Sequence, residues 1–393
     1  VKHYDWIVIG AGITGAALAY ELACKGWSVL LLDQHIPLAG ATRFSYGGLS
    51  FWSSKTPMTQ QFCREGLERY ATLSEELECD IEYRQGQLLL PILTGEDPQQ
   101  VAQTFADVMI PPQLISPQEA CQIEPLLNPE PCVAALIVPY GHMRPELTAW
   151  AFSQALIRRG GEVQTDQVTE FLWQDQRIAG VRCFSTEYGA DQVVVCAGGL
   201  SRSLLKAAGI PIRLYFSHAE MVEMPPIDLR LQAFVMVAPL RRFGMESEAS
   251  TAALDPLWDI PGHEPKHAIL DPGVLQFRDG SLRMGQLSRV LTDPTAHGNA
   301  TSSEAVMRAE LHRILPALAD CPGTWHESLV AFSCDQLPLV GAIPGWQGLS
   351  IFSGFSNPLA ILPSLARRFA QYVAGSEDDM IPQLSPGRWG QLG

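Results

Sequence analysis

The sequence predicts an α/β protein built from two parts, a domain around a parallel sheet and a second domain around an antiparallel sheet. Three observations carry this. A glycine turn, Gly10-Ala11-Gly12-Ile13-Thr14-Gly15, joins a short apolar strand to an alanine-rich helix at the very start. A second apolar strand, Val193-Val194-Val195, runs into Ala197-Gly198-Gly199. From Pro211 to about Val290 the pattern changes to shorter strands separated by turns.

The opening unit is the most informative. Asp5 to Ile9 reads as a buried strand, Thr14 to Lys25 as a helix with Gly26 as its C-cap, and Ser28 to Leu32 as a second strand ending at Asp33. Gly10 permits the tight turn, Gly12 lets a pyrophosphate approach the backbone, and Gly15 lets helix and strand pack closely. The helix N-terminus then offers unpaired N–H groups to phosphate, and Asp33 offers acceptors to ribose hydroxyls. This is a Rossmann-like dinucleotide site. The motif alone leaves open whether the dinucleotide is NAD or FAD.

The remaining elements follow in order. Residues Pro37 to Ser50 form a loop of small, hydroxyl and glycine residues, which reads either as a surface loop or as a wrap around a cofactor, with Arg43 available to a phosphate. Directly after a dinucleotide unit, the cofactor reading is preferred. Thr56-Pro57 caps a helix that turns Phe62, Leu67, Tyr70, Leu73 and Leu77 inward. Gly86 to Leu90 is a strand, and Ser116-Pro117-Gln118-Glu119 is a capping box for a helix to about Leu127. Pro145 opens a helix with Leu147, Trp150, Ala151 and Leu156 on one face, ended by Gly160-Gly161. A strand around Gln167-Val168-Thr169 pairs with Ile178 to Cys183. Strands follow at Leu214–Val222, Gln232–Val237, Leu275–Phe277 and Leu282–Gln286, and Thr301-x-x-Glu304 is a further capping box. Leu349 to Phe352 is the last strand, followed by a helix to about Val373, so the chain returns to its first sheet. These boundaries give a discontinuous nucleotide domain over 1–85, 140–210 and 322–393, and a substrate domain over 86–139 and 211–321.

Composition narrows the class. A net charge of −15 without a basic block argues against nucleic acid and against a peripheral membrane role. No apolar run is long enough to span a membrane, and the first strand so close to the start leads to the expectation of no targeting segment. Nine cysteines without a C-x-x-C pair read as reduced thiols, which predicts a cytoplasmic protein without a metal site.

The ordered motifs resemble those of the FAD-dependent amino-acid and amine oxidase family that includes D-amino-acid oxidase, glycine oxidase and sarcosine oxidase. They are Gly10 to Gly15 with Asp33, Thr42 to Gly48, Arg144-Pro145-Glu146-Leu147, Val168, Cys196 to Gly199, Asp271-Pro272 to Gly285, Asp335-x-x-Pro338-x-x-Gly341, and Gly354-Phe355-Ser356. The resemblance implies FAD rather than NAD. It implies that Gly10, Gly12, Ile13, Thr14 and Gly15 hold the pyrophosphate and Asp33, with Gln34 beside it, the adenosine ribose. Thr42, Arg43, Ser45, Gly47, Gly48 and Leu49 would follow the diphosphate, ribityl chain and flavin ring. Val168 would meet adenine, Ala197 and Gly198 would pass close by, and Gly354, Phe355, Ser356, Asn357, Pro358 and Leu359 would approach the pyrimidine end, where a helix N-terminus would stabilise negative charge.

The chain departs from that family at three places. Val330 stands where glycine-oxidase-like members carry a carboxylate-binding arginine, Ser328 where sarcosine oxidases carry a flavin-linking cysteine, and Asn357-Pro358-Leu359 where glycine and histidine are usual. Ser328 predicts a non-covalent FAD. Cys334 is near but out of register and reads as a buried thiol. Flavin oxidation of an amine needs positioning more than a proton-transfer pair, and the candidates are Tyr46, Tyr215, His218 and Arg242. Each also has a purely structural reading, as sheet packing, a satisfied histidine or, with Arg241, a solvated pair. The expected reaction is oxidation of the C–N bond of a small amine or amino acid, with oxygen or another acceptor taking the electrons. The alternatives are a dehydrogenase of a hydroxy acid or amine serving a quinone or partner protein, and a flavoprotein subunit without turnover.

Overall fold

The computed structural model describes residues 1–355 and 358–390. Its elements form two sheets. In the first, an eight-stranded sheet, the central order is Leu339–Ala342, Leu349–Ser353, Glu187–Val195, Lys2–Ile9, Val29–Asp33 and Glu162–Thr165. The strands from Leu349–Ser353 to Glu162–Thr165 pair in parallel. Their apolar runs are buried on both faces, as parallel strands between helices must be. Helix Ile13–Ala23 packs on this sheet between the helices Pro145–Arg158 and Leu362–Val373.

The second sheet has nine strands. It runs from Thr324–Ser333 through Leu214–Met224, Leu282–Val290, Lys266–Gln276, Phe234–Met236, Arg84–Leu93 and Cys132–His142 to Gly48–Leu49, with Gln113–Ile115 beside Cys132–His142. Pairing is antiparallel except between Phe234–Met236 and Arg84–Leu93. Two strands fall on the other side of the expected boundaries. Thr324–Ser333 belongs to the second sheet although it follows residue 322, and Gly48–Leu49 pairs with Gly141 and His142 although it precedes residue 86.

Local capping explains most helix starts. Thr56 accepts from the Thr59 N–H at 3.2 Å and opens Pro57–Glu76, and Ser116 does the same for Glu119. The helix after Ser116 stops at Ile123, short of Leu127, because Glu124 leaves helical geometry and turns its carboxylate to the N–H groups of Gln232 and Ala233 at 2.7 and 3.0 Å. The Thr301 box is not the cap it resembles. Asn299 accepts from the Ser302 N–H at 3.0 Å and starts the helix Ala300–Ile314 two residues earlier. Trp150, expected inward, is 53% exposed.

Close packing at the first turn is set by missing side chains. A Cβ on Gly15 would lie 1.8 Å from the Gly10 carbonyl oxygen, and one on Gly10 would lie 2.5 Å from that of Cys196. Both obstacles are backbone, so neither can step aside. Gly15→Ala is therefore expected to push the helix off the sheet edge, costing roughly 1–3 kcal/mol or more and lowering the flavin absorbance of the purified protein relative to its protein absorbance. A variant with wild-type melting temperature and flavin content would contradict this account of the turn.

Candidate active site

Between the sheets lies a cavity of about 1570 Å³ lined by residues of both. Pockets for one small molecule usually measure roughly 300–1,000 Å³, so this one has room for a large cofactor and a substrate together. Its first-sheet half is built from strand ends. Gly10, Gly12, Ile13, Thr14, Asp33, Gln34, Thr42, Val168, Ala197 and Gly198 line it. The Thr42 hydroxyl accepts from the Ile13 N–H at 3.0 Å, which ties the helix start to the short helix Ala41–Phe44. Asp33 is fixed by accepting from the N–H groups of Ala11 at 2.7 Å and His35 at 2.9 Å. Its remaining lone pairs are available to ribose hydroxyls.

The residues fit a dinucleotide. The N-cap Gly12 has no side chain to cap the helix Ile13–Ala23, whose start faces the cavity with the Ile13 N–H held by Thr42, and a Cβ on Gly12 would come within 3.2 Å of the Thr42 hydroxyl. Gly198, at φ +53°, has open space where a Cβ would stand. The glycines thus form a cradle that side chains would fill.

Other expected cofactor residues act from behind the wall. Gly15 does not line the cavity, and neither do Gly47, whose Cβ would meet the Met143 carbonyl at 2.0 Å, or the fully buried Leu49. Ser45, Tyr46 and Gly48 do line it. Arg43 corrects the phosphate expectation. Its guanidinium grips Glu223 of the second sheet with two hydrogen bonds of 2.7 and 2.8 Å and does not reach the cavity. Gly354, Phe355, Pro358 and Leu359, expected at the pyrimidine end of a flavin, line the cavity, while Ser356 and Asn357 lie outside the described residues. The following helix starts only at Leu362.

The four catalytic candidates separate into two pairs. Tyr46 and Arg242 line the cavity; Tyr215 and His218 do not. Tyr215 donates to Asp255 at 2.7 Å and packs on Trp258 and Phe332. His218 is buried, with Nδ1 3.2 Å from Glu327 and Nε2 3.1 Å from the Asp293 carbonyl, so it supports Glu327, which faces the cavity. Arg241 points away to Glu96. Ser328 and Val330 line the cavity as their positions imply; Cys334 does not, and burial raises its thiol pKa.

Three contributors had no role assigned from the sequence, although Asp271 stands in one of the ordered motifs. Asp271 lines the cavity and accepts from the N–H groups of Arg241 and Arg242 at 2.9 and 3.0 Å, capping the helix Arg242–Ala249 from a neighbouring strand. Glu246, fully buried, faces Arg242 Nη1 at 3.2 Å and accepts from Ser217 at 2.9 Å. Burial pushes both carboxyl pKa values up. His142, 1% exposed, contacts the Tyr46 carbonyl through Nε2 at 2.9 Å and so holds the cofactor loop. Desolvation, with Arg84 the leading charge, depresses its pKa to about 3.

That depression fixes a sign. Between an unfolded pKa of about 6.5 and the folded value near 3, the unfolded chain binds a proton that the fold rejects. Stability from this group is therefore complete above about pH 6.5 and falls as pH drops, by about 2 kcal/mol on reaching pH 5. In His142→Gln, which keeps a donor for Tyr46, melting temperature should fall less steeply from about pH 7 to pH 5 than in the wild type. Parallel curves would show that His142 is not the group responsible.

Comparison with known proteins agrees with this architecture. A profile of the family described as FAD dependent oxidoreductase matches residues 5–372. An uncharacterized oxidoreductase of Bacillus subtilis is 24% identical over 404 residues, covering 97% of each chain. The 4-methylaminobutanoate oxidase (formaldehyde-forming) of Paenarthrobacter nicotinovorans is 25% identical over 379 residues, 94% of this chain but 44% of that one. Among solved structures, glycine oxidase from Geobacillus kaustophilus superposes with a TM-score of 0.79 at 18% identity over 100% of both chains. L-proline dehydrogenase from P. horikoshii gives 0.77 at 20% identity, covering 99% and 98%. With the glycine cradle, Asp33 and the two-sheet cavity in place, the chain belongs to this family of FAD-dependent oxidoreductases.

Proposed function

We propose that this protein oxidises the C–N bond of a small amine or amino acid, giving an imine that hydrolyses in water. The observation that carries the reading is the character of the second-sheet half of the cavity. It is walled by Ala219, Met221, Met236, Leu240 and Val330, with polar groups confined to a few positions, among them Tyr46, Arg242, Asp271 and Gln286. Such a wall excludes water and presses a substrate C–H toward the Ser45–Gly48 loop. FAD, when bound, supplies the two-electron acceptor for that C–H.

No residue here is asked to be a strong base. Burial lifts the Tyr46 phenol well above its usual range, so it stays protonated at neutral pH and orients rather than deprotonates. The amine reacts in its neutral form. The N–H proton then leaves to solvent as the imine forms, and the chain's task is placement and dryness. Ser328 on the cavity wall offers no thiol for a covalent link, which supports a non-covalent cofactor.

Three measurements test the reading. Under anaerobic conditions, amines, N-methyl amino acids or amino acids should bleach the flavin absorbance, and hydroxy acids should not. Bleaching by hydroxy acids alone, or by no member of the panel, would remove the proposal. Peroxide formed on turnover then assigns the electrons to oxygen. Acid or heat denaturation should release the flavin quantitatively into the supernatant, and a coloured pellet would contradict the role given to Ser328.

A further inference from the structure

We infer that the substrate is an amine whose reacting carbon carries no carboxylate, and that Glu246 is the residue that enforces this choice. The inference rests on the amine-oxidising reading above and narrows its substrate class.

A carboxylate beside the reacting carbon needs an uncompensated cation in the chamber, with arginine the best geometric match. Among the described residues lining the cavity, the arginine is Arg242 and the lysine is Lys55, and Lys55 is exposed to solvent. Arg242 is already engaged. Its Nη1 lies 3.2 Å from Glu246, one turn along the same helix. Glu246 cannot swing away, because it is fully enclosed and accepts from Ser217 at 2.9 Å. Asp271, held by the Arg241 and Arg242 N–H groups, lies within electrostatic reach of the same guanidinium. A carboxylate entering here would meet at least two carboxyl groups for one cation and could bind Arg242 only by disrupting a buried pair.

The rest of the chamber points the same way. Glu327 lines the cavity as a carboxylate saturated by His218, His297 and the Gly298 N–H at 3.1 to 3.2 Å. These donors hold its pKa low. Ala219, Met221 and Val330 add apolar surface that suits an alkyl chain and disfavours an anion. An entering anion thus meets Arg242 already paired with Glu246 and, further along the wall, the Glu327 carboxylate, while the apolar surface accepts an alkyl amine.

The test uses the flavin-loaded protein and does not depend on turnover. Titration with benzoate, read as perturbation of the flavin visible spectrum, should show no saturable binding in the wild type. Glu246→Gln, which replaces the buried carboxyl facing Arg242 Nη1 by a neutral amide, should gain about tenfold or more in benzoate affinity. Val330→Arg, which adds a cation to the wall without touching the buried pair, should gain it as well, and decides the matter if the Glu246 variant does not fold. Tight benzoate binding in the wild type, unimproved in either variant, would overturn the inference. In anaerobic reduction, ethylamine and N-methylethylamine should outpace alanine and N-methylalanine by about tenfold; faster reduction by the amino acids would overturn it too. If neither series reduces the flavin, the amine-oxidising reading itself fails, while the benzoate arm still reports on the charge of the chamber.

Discussion

A helix can begin where a strand ends only if no side chain stands between them, and this fold depends on that condition being met at Gly10, Gly12 and Gly15. The Gly10 Cβ position is taken by the Cys196 carbonyl of the neighbouring parallel strand, and the Gly15 position by Gly10 itself. Two strands and one helix therefore converge within van der Waals contact at the carboxyl edge of the sheet. Their N–H groups and the partial positive end of the helix face a space that the glycines leave open. Asp33 and Thr42 bond to the same turn through the Ala11 and Ile13 N–H groups, so the residues expected at ribose and phosphate are also those that keep the turn in shape.

The cofactor loop is fastened to the second sheet by charge. Arg283, 2% exposed, bonds to the Ser45 carbonyl, to Glu146 at 2.9 Å and to Glu223 at 3.3 Å, while Arg43 takes the other side of Glu223. His142 adds the Tyr46 carbonyl from a third strand. Partly buried ion pairs such as these, centred on the buried Arg283, return little net stability after desolvation, but they tolerate few geometries. The network thus fixes where the Ser45–Gly48 segment stands relative to the substrate wall. That also explains why Arg43 is unavailable to a phosphate.

What was legible in the sequence follows from this division. The nucleotide half is specified by backbone, and backbone requirements leave local signatures: glycines at fixed offsets, apolar strands of short length, Thr56-Pro57 and Ser116-Pro117 at helix starts. The substrate half is specified by side chains that meet across strands distant in the chain. Nothing near Arg43 announces Glu223, nothing near Tyr215 announces Asp255, and nothing near His218 announces Glu327. Even local rules were overridden where a better local competitor existed, as when Asn299 capped the helix that Thr301-x-x-Glu304 seemed to open. Arg242 was a candidate cation in the sequence and lines the cavity, but its charge partner, one helical turn on, changes what it can bind.

The position of the strand Thr324–Ser333 shows how the two halves communicate. It follows the long excursion through the second sheet and precedes the return to the first, and it pairs along its whole length with Leu214–Met224. Glu327, Ser328 and Val330 on it all border the cavity, so one strand sets an acidic, a hydroxyl and an apolar position in sequence along the wall. The next strand, Leu339–Ala342, already belongs to the first sheet. Between them, Asp335 accepts two hydrogen bonds of 2.8 Å from Arg388 near the C-terminus, and Arg388 also donates to the Leu337 and Pro338 carbonyls at 2.9 and 3.1 Å. The crossover is therefore rigid where it borders the cavity. The same strand also packs on the cofactor half, His326 stacking on Phe44 at 4.3 Å and Leu329 lying against Gly199, so a substitution in the substrate wall is felt at the cradle unless it spares those two contacts.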